Sequence, residues 1–237
     1  RGMTAISSER LKILAEAGRD LRYLLNRGYN RSSSLKLVGD KYRLNRAERS
    51  ILYRGIYSLS DVESIASKRL MAEDLRDEHV LIDGFNVMNT VEAMLRGEPL
   101  ILCDDGVLRD FSEIHGKYKL SEKTHESLRL LLKALKELRI ASAKMLFESQ
   151  ISKSGEIAGY ARRLLRGIGL DGGAETAKNV DSQLQRSKRV IMTSDSAILL
   201  RCVKFYDLPA YILRWIPRTR IISLKITVGN SQGKNIR

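Results

Sequence analysis

The spacing of apolar residues along this chain changes near residue 79. Before that point the spacing is helical. Leu11, Leu14, Ala17, Leu21, Leu24 and Leu25 recur on one face, with Ser7 or Ser8 placed as cap and Gly28 just past the end. A second short helix is predicted after the caps Asn30 to Ser34, burying Leu35, Leu37 and Val38. Tyr42-Arg-Leu-Asn45 then makes a tight turn. Asn45-Arg-Ala-Glu48 reads as a capping box for a third helix carrying Ile51, Leu52 and Ile56. Helix, short turn, helix resembles a helix-turn-helix unit. Residues 59–78 turn acidic but keep a helical pattern through Leu70, Met71 and Leu75, as a connector would.

From residue 79 short apolar runs alternate with amphipathic segments, the pattern of an α/β domain with a parallel sheet. Strands are predicted at Val80–Ile82, Leu100–Cys103, Lys144–Phe147, Val190–Thr193 and Ala210–Leu213. Helices are predicted over Leu128 to Leu138 (capped by Ser121), Glu156–Arg166, Asp181–Arg186 and Ser196–Phe205. The segment 104–120 is long and polar for a simple connection, which suits a functional loop. Past Pro217 a β-rich run, Ile221 to Val228, gives way to a frayed polar tail. The expected organisation is a basic helical domain (1–58), a helical connector (59–78), an α/β domain (79–216) and an extension (217–237).

Composition sharpens this picture through charge. The chain carries a formal net charge of +14 with 30% charged and 43% hydrophobic residues, which suits a soluble globular protein with a polyanionic partner, most simply nucleic acid. Residues 1–58 hold 13 Lys and Arg against 5 Asp and Glu. Arg43, Arg46, Arg49 and Arg54 fall on or just before the third helix, where they can meet phosphates. The plainer reading is a solvated basic face. No apolar run reaches the ~18 residues of a membrane span, and no apolar leader follows Arg1-Gly2-Met3-Thr4. The two cysteines, Cys103 and Cys202, sit in apolar segments, as reduced thiols of a cytoplasmic protein would, and exclude a Cys-based zinc site.

The candidate chemistry lies in acids at strand ends. Asp83 ends the first strand, Asp104 and Asp105 the second, Glu148 the third and Asp195 the fourth, while Asp181 opens a helix. A parallel sheet brings such ends to one edge, where open α/β folds bind ligands. Carboxylates gathered there call for a divalent cation, and an all-oxygen set suits Mg²⁺ or Mn²⁺. For Asp83 the competing reading is a helix N-cap, a role Asp fills well.

Ile82-Asp-Gly-Phe-Asn86, with Asp181 and Thr193-Ser-Asp195, resembles the PIN/NYN-like ribonuclease superfamily. The resemblance spans nearly all of residues 8–216. Over its whole length the chain is similar to mainly archaeal two-domain proteins, with a basic N-terminal helical domain of unknown function and a PIN-like C-terminal half. That resemblance implies Mg²⁺- or Mn²⁺-dependent hydrolysis of RNA, favoured over DNA, with Asp83, Asp181 and Asp195 as metal ligands and catalytic acids. The family's second acid is not settled by the motifs: Glu156 is the first choice, Asp105 the second and Glu148 the third. Asn86 and Ser194 would lie beside the nucleic acid, and PIN-like domains often dimerise. Ser152, Ser154 and Gly155 at a helix start can offer hydroxyl and amide donors to a phosphate, or simply cap that helix.

Other signals carry less. Gly167-Ile-Gly-Leu-Asp-Gly172 fits G-x-G-x-x-G but follows a helix, so it reads as a C-cap and turn. Ser194 lacks a nucleophile-elbow context, and a phosphate-accepting Asp83 would want a second Asp where Phe85 stands. Two rivals to a nuclease stand: a nucleic-acid-binding protein without turnover, and a DNA-binding regulator whose α/β half senses a small ligand.

Overall fold

The computed structural model describes residues 6–111 and 121–224. The N-terminal region is helical: α1 (Ser8–Asn26), α2 (Arg31–Lys41), α3 (Arg46–Gly55) and α4 (Leu59–Ala66). Its ends fall where the capping chemistry puts them. Ser7 caps α1 and Asn30 caps α2, while Asn45 and Glu48 exchange side-chain and backbone bonds as a capping box on α3. The connector is α4 and a 3-10 turn at Ala72–Leu75.

The remaining elements are β1 (His79–Asp83), α5 (Gly84–Leu95), β2 (Leu100–Leu102), β3 (Leu108–Arg109), α6 (Glu122–Glu137), β4 (Ser142–Glu148), α7 (Ser154–Gly167), β5 (Asp171–Ala177), α8 (Val180–Arg186), β6 (Val190–Met192), α9 (Ser196–Leu199), α10 (Leu208–Ile212) and β7 (Ile221–Ser223). The main sheet runs β5-β4-β1-β6 with every pair parallel. Alternation along its strands covers both faces. Val80, Ile82, Met145 and Phe147 pack under α5, α6, α7 and α10, whereas Leu81, Leu146 and Ile191 pack against α8, α9 and Ile65 of α4. The protein is thus a mixed α/β structure, its parallel sheet flanked by helices and preceded by a helical region.

Three elements depart from the expected pattern. Ala210–Leu213 is not a strand: Asp207 caps α10 and Pro209 occupies its first turn, which fixes a helical start. The Gly167–Gly172 segment is the turn into β5, a strand that its sparse apolar content hid. Gly172 has φ +125°, and a Cβ there would lie 1.8 Å from the Ala143 carbonyl oxygen, so only glycine lets β5 approach β4. The Leu100–Cys103 run forms β2 as expected but leaves the main sheet, joining a small β3-β2-β7 sheet.

That small sheet backs onto the helical region. Ile101, Cys103 and Leu224 share one core with Leu14, Leu21, Ile51, Leu52 and Ile56. The buried Asp104 carboxylate reinforces the seam, accepting from Arg22 Nη2 at 2.5 Å and from the Tyr57 amide at 3.0 Å. One face of α3 is thereby held over the C-terminal edge of the main sheet. Cys103 and Cys202 are buried free thiols. No helix among the described residues is long and apolar enough to cross a membrane. The expected β-run from Ile221 is a strand as far as Ser223, and its remainder past Leu224 lies outside the described residues, as do positions 112–120 of the long polar loop.

Candidate functional site

The order β5-β4-β1-β6 reverses chain direction across the sheet between β1 and β6, and ligands of such sheets bind outside the strand C-termini at that switch point. Asp83 sits there. Because Gly84 starts α5 at once, Asp83 is both the last residue of β1 and the N-cap of α5, its Oδ1 accepting from the Asn86 amide at 3.3 Å. The two readings offered for this residue are therefore compatible. From the neighbouring strand end, Thr193 Oγ1 donates to Asp83 Oδ2 at 2.9 Å. Asn86 Oδ1 in turn accepts from the Ser194 amide (2.8 Å) and hydroxyl (3.0 Å). Asp195 caps α9, accepting from Ala197 and Ile198 amides at 2.8 and 3.2 Å.

Glu148 ends β4 on the other side of β1, and Asp181 lies in the first turn of α8. Asp83, Glu148, Asp181 and Asp195 all line one cavity of about 540 Å³. Their electrostatics tie them together. Burial, and then the charges of Glu148 and Asp181, push the Asp83 carboxyl up to about 7 against the opposing bonds from Thr193 and Asn86. Glu148 is raised by burial and by Asp181 and Asp195, and Asp181 by burial and Asp195. Among the described residues no group of three or more His, Cys, Asp or Glu side chains is arranged to hold a metal ion. The acids face a common space without closing on a point. A second hollow of about 410 Å³ shares Glu148 and Asp181 and adds Gln150, Lys178 and Asn179, so the acidic edge continues as a groove.

The opposite wall of the larger cavity comes from the helical region. Ser50, Tyr53 and Arg54, one face of α3, line it together with Arg31 and Tyr57. Arg31 donates both terminal nitrogens to the Ile56 carbonyl at 2.7 Å, and its guanidinium carbon lies 4.6 Å from the Tyr57 ring centre and 5.2 Å from that of Tyr53. Between the walls, buried Arg109 donates Nε to the Ser194 carbonyl at 2.7 Å and holds both Asp105 oxygens at 2.9 and 2.6 Å.

Two expected acids lie elsewhere. Glu156 is exposed, pairs with Lys153 at 2.6 Å and lines a hollow with His125 and Tyr160, not the cavity that the four acids share. Asp105 is fully engaged by Arg109 and does not line the cavity. Glu148, ranked third by sequence, takes the fourth position. Ser152 and the buried Ser154 stand at the start of α7, also outside the cavity lining. Of the four arginines, Arg54 lines the cavity, Arg43 and Arg46 are exposed elsewhere, and Arg49 folds back to Asp40 and the Leu44 carbonyl. Sequence reading missed Arg31, Tyr53, Tyr57 and Arg109. The usable signal was the spacing of Ser50, Tyr53 and Arg54, which shares one helix face.

The family described as a domain of unknown function, DUF5616, matches residues 72–211. The chain belongs to the DUF5616 family. Its match begins before β1 and ends within α10, so it covers every strand and acid of the cavity's acidic wall. A second family, described as a protein of unknown function (DUF434), matches residues 13–68, the helices that supply the basic wall. A Methanocaldococcus jannaschii protein described as uncharacterized is 34% identical over 186 residues, covering 78% of this DUF5616 chain and 88% of the relative. No solved structure matches.

Proposed function

We propose that this protein is a PIN/NYN-like, metal-dependent ribonuclease whose site is the cleft between the acidic sheet edge and the basic helical wall. The observation that carries the reading is the convergence of Asp83, Glu148, Asp181 and Asp195 on one cavity at the sheet's switch point. Four carboxylates facing one space, three of them (Asp83, Glu148 and Asp181) with raised proton affinity, suit an oxygen-seeking divalent cation. The donor chemistry therefore fits Mg²⁺ or Mn²⁺. Asp83, Glu148, Asp181 and Asp195 would hold the ion, and a bound ion would supply an acidified water and charge stabilisation to phosphodiester hydrolysis.

The chain's own residues do the rest. Thr193 and the Asn86 amide fix the Asp83 carboxylate, the Asn86 side chain fixes Ser194, and Arg109 anchors the Ser194 carbonyl from beneath. Arg31 and Arg54 give the facing wall a positive charge that attracts a phosphate backbone. The net charge of +14 works in the same direction.

Binding of nucleic acid without turnover is the second reading, favoured by the absence of a ready-made metal group among the described residues. Labelled single-stranded RNA incubated with the protein and Mn²⁺ separates the two. The nuclease reading expects cleavage that stops with EDTA and with either Asp83→Asn or Glu148→Gln. Retention of RNA without cleavage by the parent protein would establish the binder instead.

A further inference from the structure

The acidic wall accounts for a cation and a scissile phosphate, but not for the construction of the wall opposite. Tyr53 is a large aromatic side chain left 48% exposed at the rim of a cleft. Arg31 lies beside it with its guanidinium carbon 5.2 Å from the ring centre, and no carboxylate among the described residues stands within ion-pair distance of Arg31. Arg31 is held rather than loose: both terminal nitrogens converge on the Ile56 carbonyl, and its guanidinium carbon lies 4.6 Å from the Tyr57 ring centre. A fixed cation next to an exposed ring, both facing a cavity, is the pairing that recognises an unpaired nucleotide, whose phosphate meets the guanidinium while its base stacks on the ring. A cationic ligand would be repelled by this wall, and a free anion would leave the ring uncovered.

We infer that Arg31 and Tyr53, supplied by the helical region, form a nucleotide subsite adjoining the acidic edge, where one base stacks on Tyr53 while its neighbouring phosphate lies over the carboxylates. This deepens the ribonuclease reading and rests on it for the position of the scissile phosphate. It also assigns the helical region a place inside the site. Arg43 and Arg46, which the sequence offered with Arg49 and Arg54 as phosphate contacts, do not line this cavity. A base already paired in a duplex is stacked on both sides and cannot lie on Tyr53, so the subsite selects single strands.

The test uses the full-length chain and a short fluorescent single-stranded RNA, with Ca²⁺ replacing Mn²⁺ for binding and Mn²⁺ present for cleavage. Stacking of one base contributes a factor of about 5–150 in affinity. Tyr53→Ala should weaken binding by that order and raise KM while leaving kcat nearly unchanged. Tyr53→Phe should restore both, because the ring and not the hydroxyl carries the contact. The thermal midpoint should be the same for all three proteins, since Tyr53 is exposed. Annealing the RNA to its complement should abolish the difference between Tyr53→Ala and parent. Unchanged affinity and KM in Tyr53→Ala would overturn the subsite while leaving the nuclease reading intact if the parent cleaves. Tyr53-dependent binding by a parent that never cleaves would support the subsite and overturn the nuclease. A parent that neither binds nor cleaves would overturn both.

Discussion

Thr193 Oγ1 donates a 2.9 Å hydrogen bond to Asp83 Oδ2, joining the ends of two adjacent parallel strands whose residues are 110 positions apart in the chain. The same hydroxyl oxygen accepts from the Asp195 amide at 3.2 Å. One threonine thus ties the Asp83 carboxylate to the Asp195 backbone, and its bond to Asp83 partly offsets the burial that raises that acid's proton affinity. Ionisation of Asp83 is thereby costly near neutral pH, a cost that nearby positive charge would offset.

A pH-dependent stability follows. Asp83 is pushed up to about 7 in the folded chain, against about 4 for an unfolded aspartate. An acid with a raised native pKa holds its proton longer when folded, so stability declines as pH rises from about 4 to about 7 and stays reduced above it. Asp83→Asn removes that cost while keeping an oxygen to cap α5. In metal-free buffer its melting temperature should exceed the parent's by about 2–8 °C at pH 8, by less at pH 5, and coincide with it only below about pH 4. A difference independent of pH would show that burial does not perturb Asp83.

Glu148 and Glu156 offer a cleaner separation of site from surface. Glu148 lines the cavity beside Asp83, whereas Glu156 pairs with Lys153 on an exposed helix start. Glu148→Gln should reduce Mn²⁺-dependent RNA cleavage by at least about tenfold, the scale of losing one ligand or its orientation. Glu156→Gln should leave cleavage unchanged and shift stability by less than about 1 kcal/mol, because exposed pairs contribute little. Comparable losses in both variants would contradict the geometry.

These two acids also mark how far the sequence could be read. Asp83, Asp181 and Asp195 were legible because each closes an apolar run or opens a helix, and parallel topology then collects them. Choosing between Glu148 and Glu156 required knowing that β4 lies next to β1, which local pattern does not encode. The capping residues Ser7, Asn30, Asn45 and Ser121 were readable for the opposite reason, since their bonds span three residues. β5 was missed because Asp171-Gly-Gly-Ala-Glu-Thr-Ala177 has no apolar alternation, and its place in the sheet depends on glycine fitting against Ala143. The basic wall was half visible: Arg54 was named for its charge, but Tyr53 and Arg31 gain meaning only when α3 is seen facing the sheet edge.

The seam that fixes this facing has its own titration. Asp104 is buried with no side-chain exposure and raised to about 6 by burial, while Arg22 and the Tyr57 amide hold it down. Replacing Arg22 by Met leaves that carboxylate without its cation. The acid's pKa then rises further, so the loss of stability is greatest where Asp104 must ionise, above about pH 7, and fades near pH 5 where it stays protonated. Urea denaturation should give a loss of about 3–5 kcal/mol at pH 8 and a smaller one at pH 5. An equal loss at both values would mean that Arg22 acts through packing alone.

The strongest coupling of stability to site geometry lies in Asp105 and Arg109. Both are buried, they share two hydrogen bonds, and Arg109 spends its remaining Nε–H on the Ser194 carbonyl. Asp105→Asn leaves a buried guanidinium without its counter-charge and should cost about 3–5 kcal/mol. Removing both partners, as in Asp105→Leu with Arg109→Met, takes away the uncompensated charge and should recover most of that loss. The recovered fold would still lack the bond that anchors Ser194 between Asp83 and Asp195. A purely structural pair therefore predicts a stable double variant with parental cleavage, whereas a positioning role predicts a stable double variant with reduced kcat. Denaturation midpoints and single-turnover rates on the same preparations decide between them, and restored stability with an unaltered rate would remove Arg109 from any part in shaping the site.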